Sequence, residues 1–536
     1  MSRREALLSA GGVFLVALAV RAWAASLIVF PKPEDTAYYV AVARNLLDGR
    51  GLVSDAIWSF GTPPLSFPRP AFEVWLPLPT WLAAIPMAVL GPTFRSAQLM
   101  AVVVGALVAV LAWRLAADVA ADRGLPIGRA RTLALGTGLT AAVFLPLILH
   151  STLPDSTAPF AALVLGACLL MTRLLRDPTS TALMIGLGLL LGLAALTRNE
   201  AIWLALTWAV IAWANPGVRR PERLRSIAVP AVVAALVFAP WAVRDWLTFG
   251  SPLPGQAAAN ALSLEGSDIF AWSDPPTLAR YLAAGPARLL ELRLIGIGHD
   301  LFDVLLFLGV PVSIVGLLAL PWLGRPAALR PLLVYSILAF ATTSLLFPVS
   351  TTWGTFLHAA GAIHVLLIVS ALLALDAGIA RVGRRRGWTR PVAWLGPAFA
   401  VAASLLFVAV LLPTFGTGSE DSARRYEALP TALAAAGARV TPETVVLADN
   451  PIWVADSLGA RAIAVPDEPI ASVLSLARRF DARLMVLSGD VVDAWPDVLE
   501  SGDPQSDCFR QVALEPADPA TATALEGLSA WRIECP

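Results

Sequence analysis

Two adjacent carboxylates, Glu34 and Asp35, directly follow the first apolar stretch of membrane length and open a segment rich in tyrosine, arginine and glycine that runs to Gly51. Ionisable groups at a membrane surface are seldom idle, because each is costly to keep near hydrocarbon. A carboxylate held there can take a proton from an attacking hydroxyl or amine. It can equally serve as a helix N-cap, its oxygen accepting from the first free N–H groups. Residues 36–47 have the spacing of a short amphipathic helix, with Tyr39, Val42 and Leu46 on one face and Gly49 and Gly51 as a stop. Asp35 stands at its start, so both roles are open to it.

Other polar side chains recur where apolar segments end. Glu73 lies in the stretch Pro68–Leu78 and reads either as a substrate-binding acid or as a partly solvated interfacial one. Asp155 closes His150-Ser151-Thr152-Leu153-Pro154-Asp155, and Arg198 and Arg244 stand at the ends of spans. A guanidinium can grip phosphate oxygens bidentately, or it can lay its stem on apolar surface and snorkel to the headgroups. Arg69, between Pro68 and Pro70, is a further phosphate candidate. His358 and His364 lie about two turns apart, and His299 adjoins Asp300. Such a set can recruit a divalent metal, although membrane histidines more often pack against neighbouring helices. Cys168 sits in an apolar run, while Cys508 and Cys535 near the C-terminus are either reduced or joined, the latter if that end lies outside the cytoplasm.

The elements that must carry these residues are set by composition. With 57% apolar and 15% charged residues, the chain is far from the soluble balance and reads as a polytopic membrane protein. A formal net charge of zero argues against a nucleic-acid partner. Residues 1–30 have features of a signal peptide, but Arg21 interrupts the apolar stretch, and an uncleaved first span is the preferred reading. Apolar segments recur near residues 9–30, 96–118, 132–149, 157–172, 181–196, 200–214, 227–247, 301–323, 332–348, 356–375 and 392–413. Arginine clusters at 3–4, 123–131, 173–176, 219–225, 325–330 and 384–386 all fall on the cytoplasmic side if residues 72–91, with three prolines, lie in the interface and do not cross.

The expectation is therefore an all-α polytopic bundle of about eleven spans, twelve or thirteen if further segments cross. The N-terminus is then cytoplasmic and the C-terminus extracytoplasmic. Residues 1–413 form the membrane domain, with a first outer loop at 31–95 and a second at 248–300. Residues 414–421 read as a polar linker, and 422–536 as a small soluble α/β domain. Strand-like runs at 444–448, 462–465 and 483–487 alternate there with helix-like stretches at 470–480 and 491–499, and 509–514 and 529–533 could add edge strands. No phosphate loop or metal cluster is recognisable in this domain, which reads as an accessory.

The string EDTAYYVAVARNLLDGRGL, with TPP at 62–64 and PRPAFEVWLPL from Pro68, resembles the first outer loop of bacterial GT-C superfamily membrane glycosyltransferases. These are similar to the dolichyl-phosphate-mannose protein mannosyltransferases and the lipid A aminoarabinose transferases. Leu196-Thr197-Arg198 with Glu200, and Pro240-Trp241-Ala242-Val243-Arg244 with Phe249-Gly250-Ser251-Pro252, fit the same pattern. The resemblance covers residues 10–415. It implies a GT-C fold in the cytoplasmic (inner) membrane and sugar transfer from a polyprenyl-phosphate donor to a glycan, lipid or protein acceptor at the outer face. No cofactor is required, although a divalent metal is possible. It places Asp35 or Glu34 as the base, with Glu34 where many relatives carry Asp. It places Glu73, Tyr39 and Asp155 toward the acceptor or substrate, and Arg198, Arg244 and Arg69 toward the donor phosphate. The rival reading is a transporter or flippase of a lipid-linked or small polar substrate. Transporters usually show internal repeats and polar groups at the midplane, and neither is recognisable here.

Overall fold

The computed structural model describes residues 2–324, 326–388, 392–489, 504–516 and 518–535. Among these, seven helices are long and apolar enough to cross a membrane: Arg3–Leu27, Phe94–Asp122, Thr157–Arg176, Arg220–Phe249, Ala327–Leu346, Gly361–Arg385 and Leu395–Ala435. The pair Ile127–Ala142 and Leu145–Thr152, bent by 50°, makes an eighth if it acts as one broken span. The eleven apolar segments of the sequence include three that fail this test. Thr181–Ala195 and Ala201–Trp213 are single short helices of 15 and 13 residues, and 301–323 breaks at Pro311 into short helical pieces. At about 1.5 Å per residue, the two short helices fall below a hydrocarbon core of about 30 Å. Leu78–Leu90, in the proline-rich 72–91 segment, is likewise short.

Contacts between helices define two ends of the bundle. At one, Arg131 pairs with Glu5, Arg176 with Asp122, and Arg129 with Asp376, while Arg225 donates to Thr181. At the other, Arg95 donates to the Ala25 carbonyl and Gln98 to the carbonyls of Ile28 and Thr152. The first loop and the sheet domain lie at this second end.

The linker expected at 414–421 is not a break. The helix Leu395–Ala435 runs straight through it. Its hydroxyl side chains bond back along the helix, Thr417 to the Pro413 carbonyl and Ser422 to that of Gly418, and so satisfy themselves without interrupting it. Ser419 also accepts from the backbone N–H groups of Val29 and Phe30, tying this helix to the start of the first loop.

Among the described residues, eight strands complete the fold: β1 (Val53–Ser54), β2 (Ala56–Ile57), β3 (Arg69–Pro70), β4 (Val445–Ala448), β5 (Arg461–Ala464), β6 (Leu484–Leu487), β7 (Phe509–Val512) and β8 (Ser529–Ile533). β1 and β3 pair within the first loop, whereas the six-stranded sheet has the order β2-β5-β4-β6-β8-β7. Its β2–β5–β4–β6 portion is parallel, and β8 and β7 add antiparallel. The apolar runs of β4 and β6, buried on both faces, suit a parallel sheet covered on both sides. The edge strand β2 comes from the first loop, so the sheet is shared between the two parts of the chain. A disulfide joins Cys508 and Cys535 across the β7–β8 edge. The helix expected at 491–499 lies outside the described residues.

Candidate active site

The loop helix carries the acids. It spans Glu34–Leu47, with Pro33 at its N-cap and no side-chain cap, and it stops at Asp48 and Gly49, whose φ of 77° a residue with a side chain would resist. Asp35 is thus inside the first turn and is not the capping residue. One of its oxygens accepts from the Thr36 N–H, and the other lies 3.1 Å from His358 Nε2.

His358 arrives from the other side of the bundle, on the short helix Thr355–Ala359. Gly354 starts that helix with a φ of 106°, and a Cβ there would come within 3.3 Å of His358 Nε2. The opposite ring nitrogen, Nδ1, lies 2.6 Å from the Thr157 hydroxyl. If Thr157 donates to Nδ1, then Nε2 carries the hydrogen that Asp35 accepts, a tautomer fixed by the network. Burial opposes ionisation of Asp35, but His358 and then Arg198 overcome it and hold the carboxyl below the usual carboxylate range.

The two acids are separated. Glu34 turns away from His358 toward the sheet domain, where one oxygen accepts from the Ile452 N–H at 2.8 Å and the other from the Trp58 indole at 3.1 Å. Loss of solvent there pushes its carboxyl up to about 8, against the pull of these donors. Neighbouring side chains in sequence therefore meet opposite electrostatics.

Arg198 forms a fork on Glu200, at 3.0 and 2.9 Å, and donates to Ser156 at 2.8 Å. Its charge reaches Asp35 and Tyr39, and the Tyr39 hydroxyl interacts with Ser156. Tyr39 is almost wholly enclosed. Asp155 caps the next turn by accepting from the Thr157 N–H, and its other oxygen lies 3.7 Å from His150 Nδ1. Asp35, Tyr39, Asp155, Arg198 and His358 thus meet at one place.

Arg244 belongs to an adjoining cluster. It pairs with Asp245 at 2.8 Å and lies over the rings of Trp241 and Phe249. Its field also reaches Tyr38. About a quarter of its side chain is exposed, more than that of Arg198.

Arg69 does not fit its expected role. It is fully buried, bonded to Glu73 at 3.0 Å and to the carbonyls of Thr62 and Pro64, and it braces the proline-rich segment. A guanidinium so saturated and enclosed is not open to a phosphate. Glu73, as its partner, is equally closed to an acceptor. Phe72 beside it takes a φ of 75°, which a bulky residue resists, and its N–H is held by the Tyr38 hydroxyl.

The metal-site expectation changes in membership. His364 packs beside Phe144, and His299 faces Asp303, while Asp300 is held by Ser344 and Thr351. The group whose ligand atoms converge is His150, Asp155 and His358, all within 4.8 Å of one another. Asp155 Oδ2 and His150 Nδ1 are buried without hydrogen-bond partners, so a divalent cation fits the donor set, at the expense of one of the two bonds that His358 makes, to Asp35 or to Thr157.

Known proteins share this arrangement of elements. A family model for dolichyl-phosphate-mannose-protein mannosyltransferases matches residues 69–243. ArnT from Cupriavidus metallidurans bound to undecaprenyl phosphate superposes with a TM-score of 0.54 at 15% identity, covering 97% of each chain. The chain has the fold of the GT-C membrane glycosyltransferases. The apo form of the same ArnT gives a TM-score of 0.52 at 15% identity over 97% of each chain. The apo oligosaccharyltransferase of Archaeoglobus fulgidus, another GT-C protein, gives 0.51 at 13% identity, covering 94% of this chain and 73% of its own. No curated protein matches the chain in sequence.

Proposed function

We propose that the protein transfers a sugar from a polyprenyl-phosphate donor to an acceptor at the outer face of the cytoplasmic membrane, with Asp35 as general base. The observation that carries this reading is the Asp35 carboxylate, kept ionised by His358 and Arg198 inside a GT-C fold. In a single displacement the acceptor oxygen or nitrogen bonds to the anomeric carbon, the bond from that carbon to the phosphate oxygen breaks, and the acceptor proton passes to Asp35. The polyprenyl phosphate leaves with the bonding electrons and needs cations and hydrogen-bond donors rather than an acid. Arg244, the more exposed of the two outer arginines, is the better placed to meet it, and Arg198 supports both the phosphate and Asp35.

Several features support the reading. ArnT from Cupriavidus metallidurans binds undecaprenyl phosphate, and the matching family model describes an enzyme that uses a polyprenyl-type mannose donor. Tyr39 and Asp155 lie in the same buried cluster as Asp35 and are assigned to substrate contacts that form once the cluster opens to substrate. The step needs no cofactor. A divalent cation held by His150, Asp155 and His358 would supply Lewis acidity beside the leaving phosphate.

Mass spectrometry of envelope glycans tests the proposal. A deletion strain loses a sugar from its envelope, the wild-type gene restores it, and Asp35→Asn restores it at a rate lower by roughly 10²–10⁴-fold. An unchanged envelope in the deletion strain, or full restoration by Asp35→Asn, contradicts it.

A further inference from the structure

The sheet domain has a crevice of the kind that α/β proteins use for ligands. From β4 the chain crosses to β5 on one side and from β5 to β6 on the other, which makes the carboxyl end of β4 a topological switch point. Asp449 and Asn450 follow β4 there, and Ser488 and Gly489 follow β6. Asp449 accepts from the N–H groups of Ser488 and Gly489, and Asn450 donates to the Ser488 hydroxyl. The helix Pro451–Leu458 begins at the same point and presents its first N–H groups, with the positive end of its dipole, toward an anion.

The anion is Glu34. It takes the Ile452 N–H and also accepts from Trp58, which belongs to the segment leaving β2. The position an external ligand would take is filled by a side chain of the loop that bears Asp35. Further contacts lie on either side of it. The Trp453 indole donates to the Pro31 carbonyl at 2.9 Å, Phe30 stacks on Tyr426, and Arg44 at the far end of the loop helix pairs with Asp456. β2 of the first loop extends the sheet beside β5. The domain therefore grips the Glu34–Leu47 helix at both ends.

We propose that Glu34 is a positioning residue: by accepting hydrogen bonds at the start of the Pro451–Leu458 helix, it latches the sheet domain onto the loop helix and sets where Asp35 meets His358. This rests on the reading of Asp35 as the base, and it gives Glu34 a role other than proton transfer. One residue separates the two functions because successive side chains on a helix point about 100° apart.

Hydrogen–deuterium exchange on the full-length protein in nanodiscs reads the latch without substrate, and transfer kinetics read its consequence. In Glu34→Ala, amide exchange of residues 34–47 and 451–458 rises by about tenfold or more, as expected for the loss of the two hydrogen bonds from Ile452 and Trp58. Turnover falls by about tenfold with the donor KM unchanged, as expected for a small misplacement of a reacting group. Glu34→Gln, which keeps one accepting oxygen, recovers part of both. Trp58→Phe keeps its ring on Trp75 while removing the indole donor, and it moves both readouts the same way by less. Two results overturn the proposal: exchange at the wild-type level in Glu34→Ala, even if turnover falls as far as in Asp35→Asn, and raised exchange with wild-type turnover. Full turnover in Asp35→Asn would instead remove the base assignment, and the exchange data would still decide whether Glu34 latches the domain.

Discussion

Asp35 and Glu34 share a backbone segment but not an environment. Asp35 faces a histidine and an arginine and is held ionised, whereas Glu34 faces backbone and indole donors in a site that favours its neutral form. A base for sugar transfer must be ionised before the acceptor arrives, and this difference is why the proposed mechanism uses Asp35. The role of His358 then follows from its two bonds. It orients Asp35, and it also lowers the pH at which Asp35 takes a proton. Removing it in His358→Asn raises the Asp35 pKa, so the acid limb of the kcat/KM profile moves to higher pH. Transfer at neutral pH falls by about 10- to 100-fold, as for loss of other residues that orient a functional ligand or base. Thr157→Val shifts the limb in the same direction by less, because it removes only the partner of the far ring nitrogen. A limb unchanged in both variants would show that His358 does not set the ionisation of Asp35.

Elements bring these residues together, and the sequence reveals that unevenly. Arginine clusters and apolar lengths place Asp35, Asp155, Arg198, Arg244 and the start of 356–375 at one end of the bundle, and the structure gathers Asp35, Asp155, Arg198 and His358 there. Strand-like runs at 444–448, 462–465, 483–487 and 529–533 were also legible and correspond to β4, β5, β6 and β8, because alternating or continuous β-branched and apolar residues between turns have few other uses. The pairing of Asp35 with His358 was not, since it depends on helix packing between residues more than three hundred positions apart. Neither was β2, whose two residues show no period at all. Arg21 shows the same limit: in sequence it interrupts the first span, whereas in the structure it is fully buried. It donates to the carbonyls of Ala17, Ala141 and Ala142 and to Ser151, and so fills the gap where the broken span bends. Gly105 leaves room for this, since a Cβ there would overlap the Ser151 hydroxyl. Arg21→Leu leaves the Ala141 and Ala142 carbonyls at the end of their helix without this partner and costs about 3 kcal/mol or more. Arg21→Lys recovers little, because an ammonium cannot fork across them. Thermal unfolding of the purified protein measures this, and a midpoint within about one degree of wild type in Arg21→Leu would contradict it.

At the scale of the whole molecule, the two ends of the bundle differ in charge and in what they carry. Arg131, Arg129, Arg176 and Arg225 knit one end together, where their guanidinium groups pair with acids and hydroxyls from neighbouring helices. The other end holds the loop helix, the broken span's exit and the shared sheet. Lys and Arg mark the cytoplasmic ends of spans, and the proposed orientation therefore puts the arginine-rich end in the cytoplasm and the sheet domain outside, where a disulfide between Cys508 and Cys535 would persist. Cysteine usage makes this orientation measurable. The two C-terminal cysteines are joined and Cys168 is buried, so a membrane-impermeant maleimide meets little background. Ala522→Cys, exposed on the short helix Pro519–Ala524 of the sheet domain, is expected to label in spheroplasts with the membrane intact. Thr179→Cys, exposed between Arg176 and the next helix, labels only after permeabilisation. Labelling of Thr179→Cys from outside, with Ala522→Cys protected, would invert the molecule and remove the active site from the face where a polyprenyl-linked sugar is presented.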